Sequence, residues 1–203
     1  MLLALALAAA LLLSAAAGWL AALPAWLVLG WLIWVYWARR PPVPAEPRAV
    51  LSPVSGRVLR VVEEDDPWLQ RTALRVSIRI GFPGIVPLHC PSEGTVQDIY
   101  VRRGVFGGAQ RTCRANESPD CYGQWLRTDE GEDVIYAVSS HFPLSRARFD
   151  HAPGERVGQG ERCGFFYAAS VADVLMPRGS ESAVSPGDRV QAGETILASL
   201  TSA

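Results

Sequence analysis

Few side chains in this sequence combine reactive chemistry with a spacing that suggests a site. All nineteen basic residues are arginine, so no lysine is present to form a Schiff base or to tether pyridoxal phosphate. The three histidines are His89, His141 and His151, and imidazole is the side chain that best takes and returns protons near neutrality. HExxH, P-loop and GxSxG patterns are absent. Ser170 interrupts the apolar stretch GFFYAASVADVLMP (164–177).

An ordered series of short motifs surrounds these residues. Its members are SPVSGRV (52–58), HCPSEGTV (89–96), YVRRGVFGGA (100–109) and GERVGQGERCGFFYAASVADVLMP (154–177), followed by the tail VSPGDRVQAGETIL. In order and spacing, the series resembles the phosphatidylserine decarboxylase family, in particular its short, membrane-anchored form. The corresponding family segments read SPADGRV, xxPxxGxV, YxxGxFxxA and GxxVxxGERxGxxxFGSxVDVxLP.

The resemblance implies a defined role for Ser170. Family members are proenzymes that cut themselves just before a serine, which becomes a pyruvoyl group. Carried over here, cleavage between Ala169 and Ser170 leaves a β chain of residues 1–169 and an α chain of residues 170–203. The pyruvoyl carbonyl would then form a Schiff base with phosphatidylserine, a membrane phospholipid, and loss of CO2 would yield phosphatidylethanolamine. A chain without lysine is consistent with an enzyme that makes its own carbonyl cofactor.

The resemblance also identifies the other candidate site residues. His89 matches a histidine two residues before the proline of xxPxxG, which implies a base and proton donor. The family aspartate of SPADG is Ser55 here, and a hydroxyl cannot stabilise an imidazolium as a carboxylate does. The glycine that usually precedes the processing serine is Ala169, which has less backbone freedom. Asp173 or Glu117 is a candidate to supply the missing carboxylate.

An alternative function remains open beside the enzyme. The tail also resembles the turns of lipoyl and biotinyl carrier domains, but without lysine the chain cannot carry either group. The realistic form of this alternative is a degenerate, uncut decarboxylase-like domain that acts as a membrane-tethered binding or scaffold module. For substrate contact, the candidates are four arginines, each of which is more typical of a solvated surface: Arg102, Arg103, Arg146 and Arg148.

The pattern after residue 50 predicts a mainly β domain, a compact sandwich or barrel over residues 51–203. The predicted strands are 56–62, 74–80, 94–101, 133–138, 164–167 and 171–175, with two short ones in 185–200. Residues 104–132 show little periodicity and read as a long loop. The run Glu63-Glu64-Asp65-Asp66 reads as a solvated turn.

The first 40 residues predict a helical membrane anchor. No charge occurs before Arg39, and five of the seven tryptophans lie in this segment, as a bilayer interface favours. A cleaved signal peptide is the competing interpretation. Because Pro24 divides the stretch, a hairpin, a re-entrant pair and one tilted helix all remain open. Residues 41–50 form a proline-rich linker.

The charge pattern predicts the location of the domain. By the positive-inside rule, the arginines that follow the anchor predict that the domain lies on the cytoplasmic side of the cell membrane. The spacing of the four cysteines fits no metal site. In an oxidising compartment Cys113 and Cys121 could bridge a surface loop, but the cytoplasmic location favours free thiols. A net charge of −1 gives no indication of nucleic-acid binding. A homo-oligomer remains open.

Overall fold

The computed structural model describes residues 26, 27, 29, 30, 46, 48–81, 84–102, 120–140, 146–167 and 171–201. The chain divides into two units, Met1–Pro41 and Pro42–Ala203. In the first unit the four described residues are helical, and no helix within the described part of the chain is long and apolar enough to cross a bilayer. The predicted anchor therefore falls almost entirely outside the described residues, which do not support it.

The second unit is built from strands, which confirms the prediction of a mainly β domain. The fourteen strands are β1 Ala49–Leu51, β2 Gly56–Asp66, β3 Arg71–Arg79, β4 Ile85–His89, β5 Gly94–Arg102, β6 Asp120–Arg127, β7 Asp133–Ser140, β8 Arg146–Phe149, β9 Arg156–Val157, β10 Arg162–Tyr167, β11 Val171–Pro177, β12 Glu181–Ser182, β13 Arg189–Val190 and β14 Ile196–Ser199.

Eight of these strands form one antiparallel sheet in the order β13-β2-β3-β11-β7-β6-β5-β9. Two three-stranded sheets accompany it, β1-β14-β12 and β4-β10-β8. The connection from β10 to β11 therefore passes from a small sheet to the large one. Ala169 and Ser170 belong to that connection, and both lie outside the described residues.

One apolar core is shared by all three sheets. The alternation of strand residues sends every second side chain to this core, and each sheet contributes buried members, among them Val58, Val76 and Val174 from the large sheet, Leu88 and Phe166 from the β4 sheet, and Val50 and Leu197 from the β1 sheet. A second, smaller cluster around Trp68, Ile135 and Leu175 lies on the other face of the large sheet. The large sheet is consequently covered on both faces where these clusters lie.

Gly56, the glycine of SPVSG, is required by close strand packing. A Cβ built at this position would lie 2.2 Å from the carbonyl oxygen of Arg79 on the neighbouring strand β3. Gly164, the glycine of GERCG, is in the same situation, since its Cβ would lie 2.1 Å from the carbonyl oxygen of Arg148. These motif glycines therefore hold β2 against β3 and β10 against β8.

Two local predictions were wrong. Residues 120–127 fall in the predicted loop 104–132 but form β6, which pairs with β5 and β7 along its length. The acidic run 63–66 is not a solvated turn, because it is the end of β2 and pairs with residues 71–74 of β3. Asp66 is buried, and its carboxylate accepts a hydrogen bond from the Trp68 amide at 2.8 Å. The turn therefore begins after the acidic run, at residue 67.

Candidate active site

Backbone hydrogen bonds bring three of the sequence motifs together. The amide of His89 donates to the carbonyl oxygen of Pro53 at 3.0 Å, which joins HCPSEG to SPVSG. Ser52 exchanges backbone hydrogen bonds with the tail, because its amide donates to Thr195 at 2.9 Å and its carbonyl accepts from Gly193 at 2.8 Å. Segments that are far apart in the sequence thus form one contiguous set of loops.

The start of β11 is linked through the large sheet to the residue that follows SPVSG. Arg57 on β2 pairs with Arg79 on β3, and Arg79 pairs in turn with Val171, the first residue of β11. On its other side Val171 pairs with Ser139 of β7. Val171 directly follows Ser170, so the predicted cleavage position lies one residue before the paired positions Arg57, Arg79 and Val171. Arg57 is itself the residue directly after SPVSG.

His89 ends β4 in an environment suited to a neutral base. Its Nδ1 atom is buried without a hydrogen-bond partner, and its backbone pairs with Arg162 of β10. Burial lowers the pKa of His89, and the positive charge of Arg162 lowers it further. The guanidinium of Arg162 is held over the ring of Phe165, 4.7 Å from its centroid. The imidazole therefore stays unprotonated at neutral pH and can accept a proton.

Arg162 is a site residue that the sequence did not single out. Its role as the charge beside His89 depends on the register between β10 and β4, which a single sequence does not specify. The GERCG motif was the available signal, because it places an arginine in a stretch otherwise matched to the processing site.

Ser55 lies in the same loop as Pro53, but its hydroxyl has a different partner. The Ser55 Oγ accepts a hydrogen bond from the backbone amide of Ala192 at 3.0 Å. This contact fixes the tail against SPVSG. Among the described residues, Ser55 therefore acts by holding the SPVSG loop and the tail together.

Asp173 belongs to a buried ionic network on the other face of the sheet. Its carboxylate accepts hydrogen bonds from Arg75 at 2.7 Å and from the hydroxyl of Ser77 at 2.5 Å. Arg75 also pairs with Glu64. Burial alone would lower the pKa of Arg75, but the hydrogen bonds and charges of Asp173 and Glu64 raise it above its ordinary value. Asp173 is thus engaged on β3, while Glu117, the other candidate carboxylate, lies outside the described residues.

The cysteines fall into two groups. Cys90 and Cys163 are free and wholly buried, and the Tyr136 hydroxyl lies 2.9 Å from the Cys163 Sγ. A hydrogen bond with Cys163 and burial raise the pKa of the Cys90 thiol, which therefore stays protonated and inert. Cys121 is disulfide-bonded, which corrects the expectation of four free thiols. Its partner lies outside the described residues.

The remaining candidates are peripheral or undescribed. His151 lies 3.7 Å from Glu161, between its Nε2 and the carboxylate, whereas His141 lies outside the described residues. Arg148 is exposed and 3.6 Å from Asp150, and Arg146 is exposed as well. No group of three or more His, Cys, Asp or Glu that could hold a metal ion occurs within the described residues.

Comparison with known proteins agrees with the motif series. The family model for phosphatidylserine decarboxylase matches residues 32–198. The chain is 35% identical over 195 residues to a phosphatidylserine decarboxylase proenzyme of Nitrosomonas europaea, covering 95% of this chain and 89% of that one. It is also 35% identical over 184 residues to the proenzyme of Nitrosomonas eutropha, covering 90% and 84%.

A more distant relative supports the same assignment. The phosphatidylserine decarboxylase proenzyme of Burkholderia cenocepacia is 31% identical over 197 residues, covering 97% of this chain and 92% of that one. No solved structure matches the chain significantly. Because the family match includes the SPVSG, HCPSEG and GERCG segments that the fold brings to one end of the domain, the chain belongs to the phosphatidylserine decarboxylase family.

Proposed function

We propose that this chain is a membrane-bound phosphatidylserine decarboxylase proenzyme that converts phosphatidylserine to phosphatidylethanolamine and CO2. Two observations carry the proposal: a backbone hydrogen bond joins His89 to SPVSG, and strand pairing joins Arg57, the residue after that motif, through Arg79 to Val171. The relatives that share these segments are named as proenzymes of this activity.

Self-cleavage is proposed to occur between Ala169 and Ser170. The Ser170 hydroxyl attacks the carbonyl carbon of Ala169, and the peptide C–N bond breaks as an ester forms. A base then removes the Ser170 α-proton, and elimination releases residues 1–169 as a carboxylate. The resulting dehydroalanine hydrolyses with loss of ammonia, which leaves a pyruvoyl group on residues 170–203.

His89 is proposed as the base for processing and as the group that later returns a proton to product. The orphaned, buried Nδ1 of His89 supports this role, because a neutral imidazole with an unused nitrogen can exchange protons without losing a structural hydrogen bond. Ser55, at the position of the family aspartate, acts through the loop that it fixes to Ala192.

The composition of the chain is compatible with a pyruvoyl group. When formed, the group supplies a carbonyl electron sink for decarboxylation of an amine-bearing substrate. The chain contains no lysine whose amine would compete for that carbonyl.

Intact mass spectrometry of the expressed full chain tests the proposal. We expect two chains split between Ala169 and Ser170, with pyruvoyl at the start of the smaller one. The Ser170→Ala variant is the matched control and should stay uncut. The His89→Ala variant should process more slowly by roughly a hundred-fold, the usual contribution of a general base.

A single uncut chain that persists during incubation with phospholipid membranes would overturn the pyruvoyl mechanism. It would favour the alternative of a degenerate, membrane-tethered binding module. Unchanged processing in the His89→Ala variant would remove His89 from the site while leaving the cleavage intact.

A further inference from the structure

Three arginines occupy directly opposed positions on neighbouring strands at the end of the large sheet. Arg189 on β13 pairs with Arg57 on β2, and Arg57 pairs with Arg79 on β3. Opposed residues of antiparallel strands point to the same face, and all three are exposed. With strands about 4.8 Å apart, their backbones span about 10 Å. We call Arg57, Arg79 and Arg189 the arginine row.

The charge of the arginine row is not neutralised by the described part of the chain. Among the described residues, the ion pairs are formed by other cations. Arg75, on the same face as the row, forms ion pairs with both Glu64 and Asp173. Like charges directly opposite one another destabilise a sheet. An anion from outside the chain would remove that repulsion.

The arginine row adjoins the predicted processing site. Arg79 pairs with Val171, the residue after Ser170. On the other side of residues 168–170, Tyr167 ends β10 and pairs with Ile85 of β4. These two side chains are 46% and 59% exposed, respectively, so they form an apolar pair open to the surroundings. The strands that enter and leave the processing segment thus carry an exposed apolar pair and a cationic row.

This combination matches the chemistry of a phospholipid surface. Guanidinium groups bind phosphate oxygens in bidentate fashion, and an exposed tyrosine with an aliphatic neighbour suits the headgroup boundary. The net charge of the chain is −1, so attraction to a membrane must come from a local patch.

We propose that the arginine row, together with Ile85 and Tyr167, docks the domain on the anionic headgroups of a phospholipid bilayer. Docking holds the end of β10 and the start of β11 at the headgroup plane, where a two-tailed substrate lies. The inference deepens the proposed function and rests on it for the identity of the substrate, but docking itself is measured without turnover.

Arginine-specific modification by phenylglyoxal measures the docking. The full chain is reconstituted in nanodiscs of phosphatidylcholine alone or with phosphatidylglycerol, and modification of each arginine is followed by peptide mass spectrometry. We expect each arginine of the row to react about five-fold more slowly in the anionic discs, the effect of one arginine docked on an anionic surface. Arg156 and Arg178, with side chains 68% and 73% exposed, are internal controls and should react equally in both.

Two further conditions separate a bilayer from a free anion. Salt at about 1 M should abolish the protection, because it screens exposed charges beyond about 3 Å. Inorganic phosphate added to phosphatidylcholine discs should not protect. If phosphate protects as well as anionic lipid, the row is a site for free anions and the proposal is overturned.

A charge-matched pair of variants connects docking to turnover. The R57Q/R79Q/R189Q variant should raise the surface concentration of phosphatidylserine needed for half-maximal rate by roughly ten-fold or more, with kcat little changed. The R127Q/R156Q/R178Q variant removes the same charge elsewhere and should behave as wild type.

The two proposals fail in different ways. If wild type protects its arginine row but never decarboxylates, the proposed function is wrong and docking stands. If wild type decarboxylates while the arginine row reacts equally in both kinds of disc, docking is wrong and the function stands.

Discussion

His89 is the titrating side chain whose surroundings the structure defines most directly. Burial and the nearby Arg162 both lower its pKa, so it remains a neutral base below the ordinary histidine value of about 6.5. The processing rate should therefore hold its plateau below that pH and fall only as His89 becomes protonated. Replacing Arg162 with Gln removes the positive charge, raises the pKa of His89 and should move the acid limb to higher pH.

The measurement at this scale is the rate of chain cleavage against pH, followed by gel electrophoresis. Arg156→Gln is the control, because Arg156 is exposed and paired with Asp129, and its profile should superimpose on wild type. An unshifted acid limb in Arg162→Gln would show that Arg162 does not influence the titrating base.

At the scale of elements, the network of Arg75, Glu64 and Asp173 ties β11 to β3 and β2. Arg75→Met leaves two carboxylates in a largely buried place without their cation, so the free energy of unfolding should fall by about 3 kcal/mol or more. Arg178→Met removes an exposed partner, 3.8 Å from Glu63, and should change it by less than about 1 kcal/mol. Urea unfolding of both variants by circular dichroism compares them, and equal midpoints would contradict a structural role for the network.

The same elements show where local pattern was sufficient. Alternation of apolar residues predicted the core of β2, β3, β5, β7 and β11, because period two is a local property of a strand. It did not predict β6, whose residues 120–127 follow a glycine- and polar-rich stretch. It also misplaced the acidic run 63–66, since those carboxylates are stabilised by pairing with β3, including the contact of Glu64 with Arg75.

At the scale of the whole molecule, we propose that the β domain lies on the cytoplasmic side of the cell membrane. Arg39, Arg40 and Arg48 follow the apolar segment and set orientation during insertion. The disulfide at Cys121 is typical of an oxidising compartment and favours the opposite side of the membrane, so a direct test of orientation is needed.

Protease treatment of oriented vesicles tests this location. Residues 51–203 should be digested in inside-out vesicles and protected in right-side-out ones. Digestion in right-side-out vesicles, together with an intact Cys121 disulfide, would place the domain on the opposite side.

The sequence by itself determined the family resemblance, the mainly β class and the chemical identity of the candidate residues, because motifs and strand alternation are properties of neighbouring residues. Tertiary structure decided which of them meet. The register of β10 on β4 placed Arg162 beside His89, and the pairing of β11 with β3 engaged Asp173 with Arg75. The arginine row likewise exists only because β13, β2 and β3 align. These contacts join segments that are distant in the sequence through backbone pairing, so the pattern of neighbouring residues does not predict them.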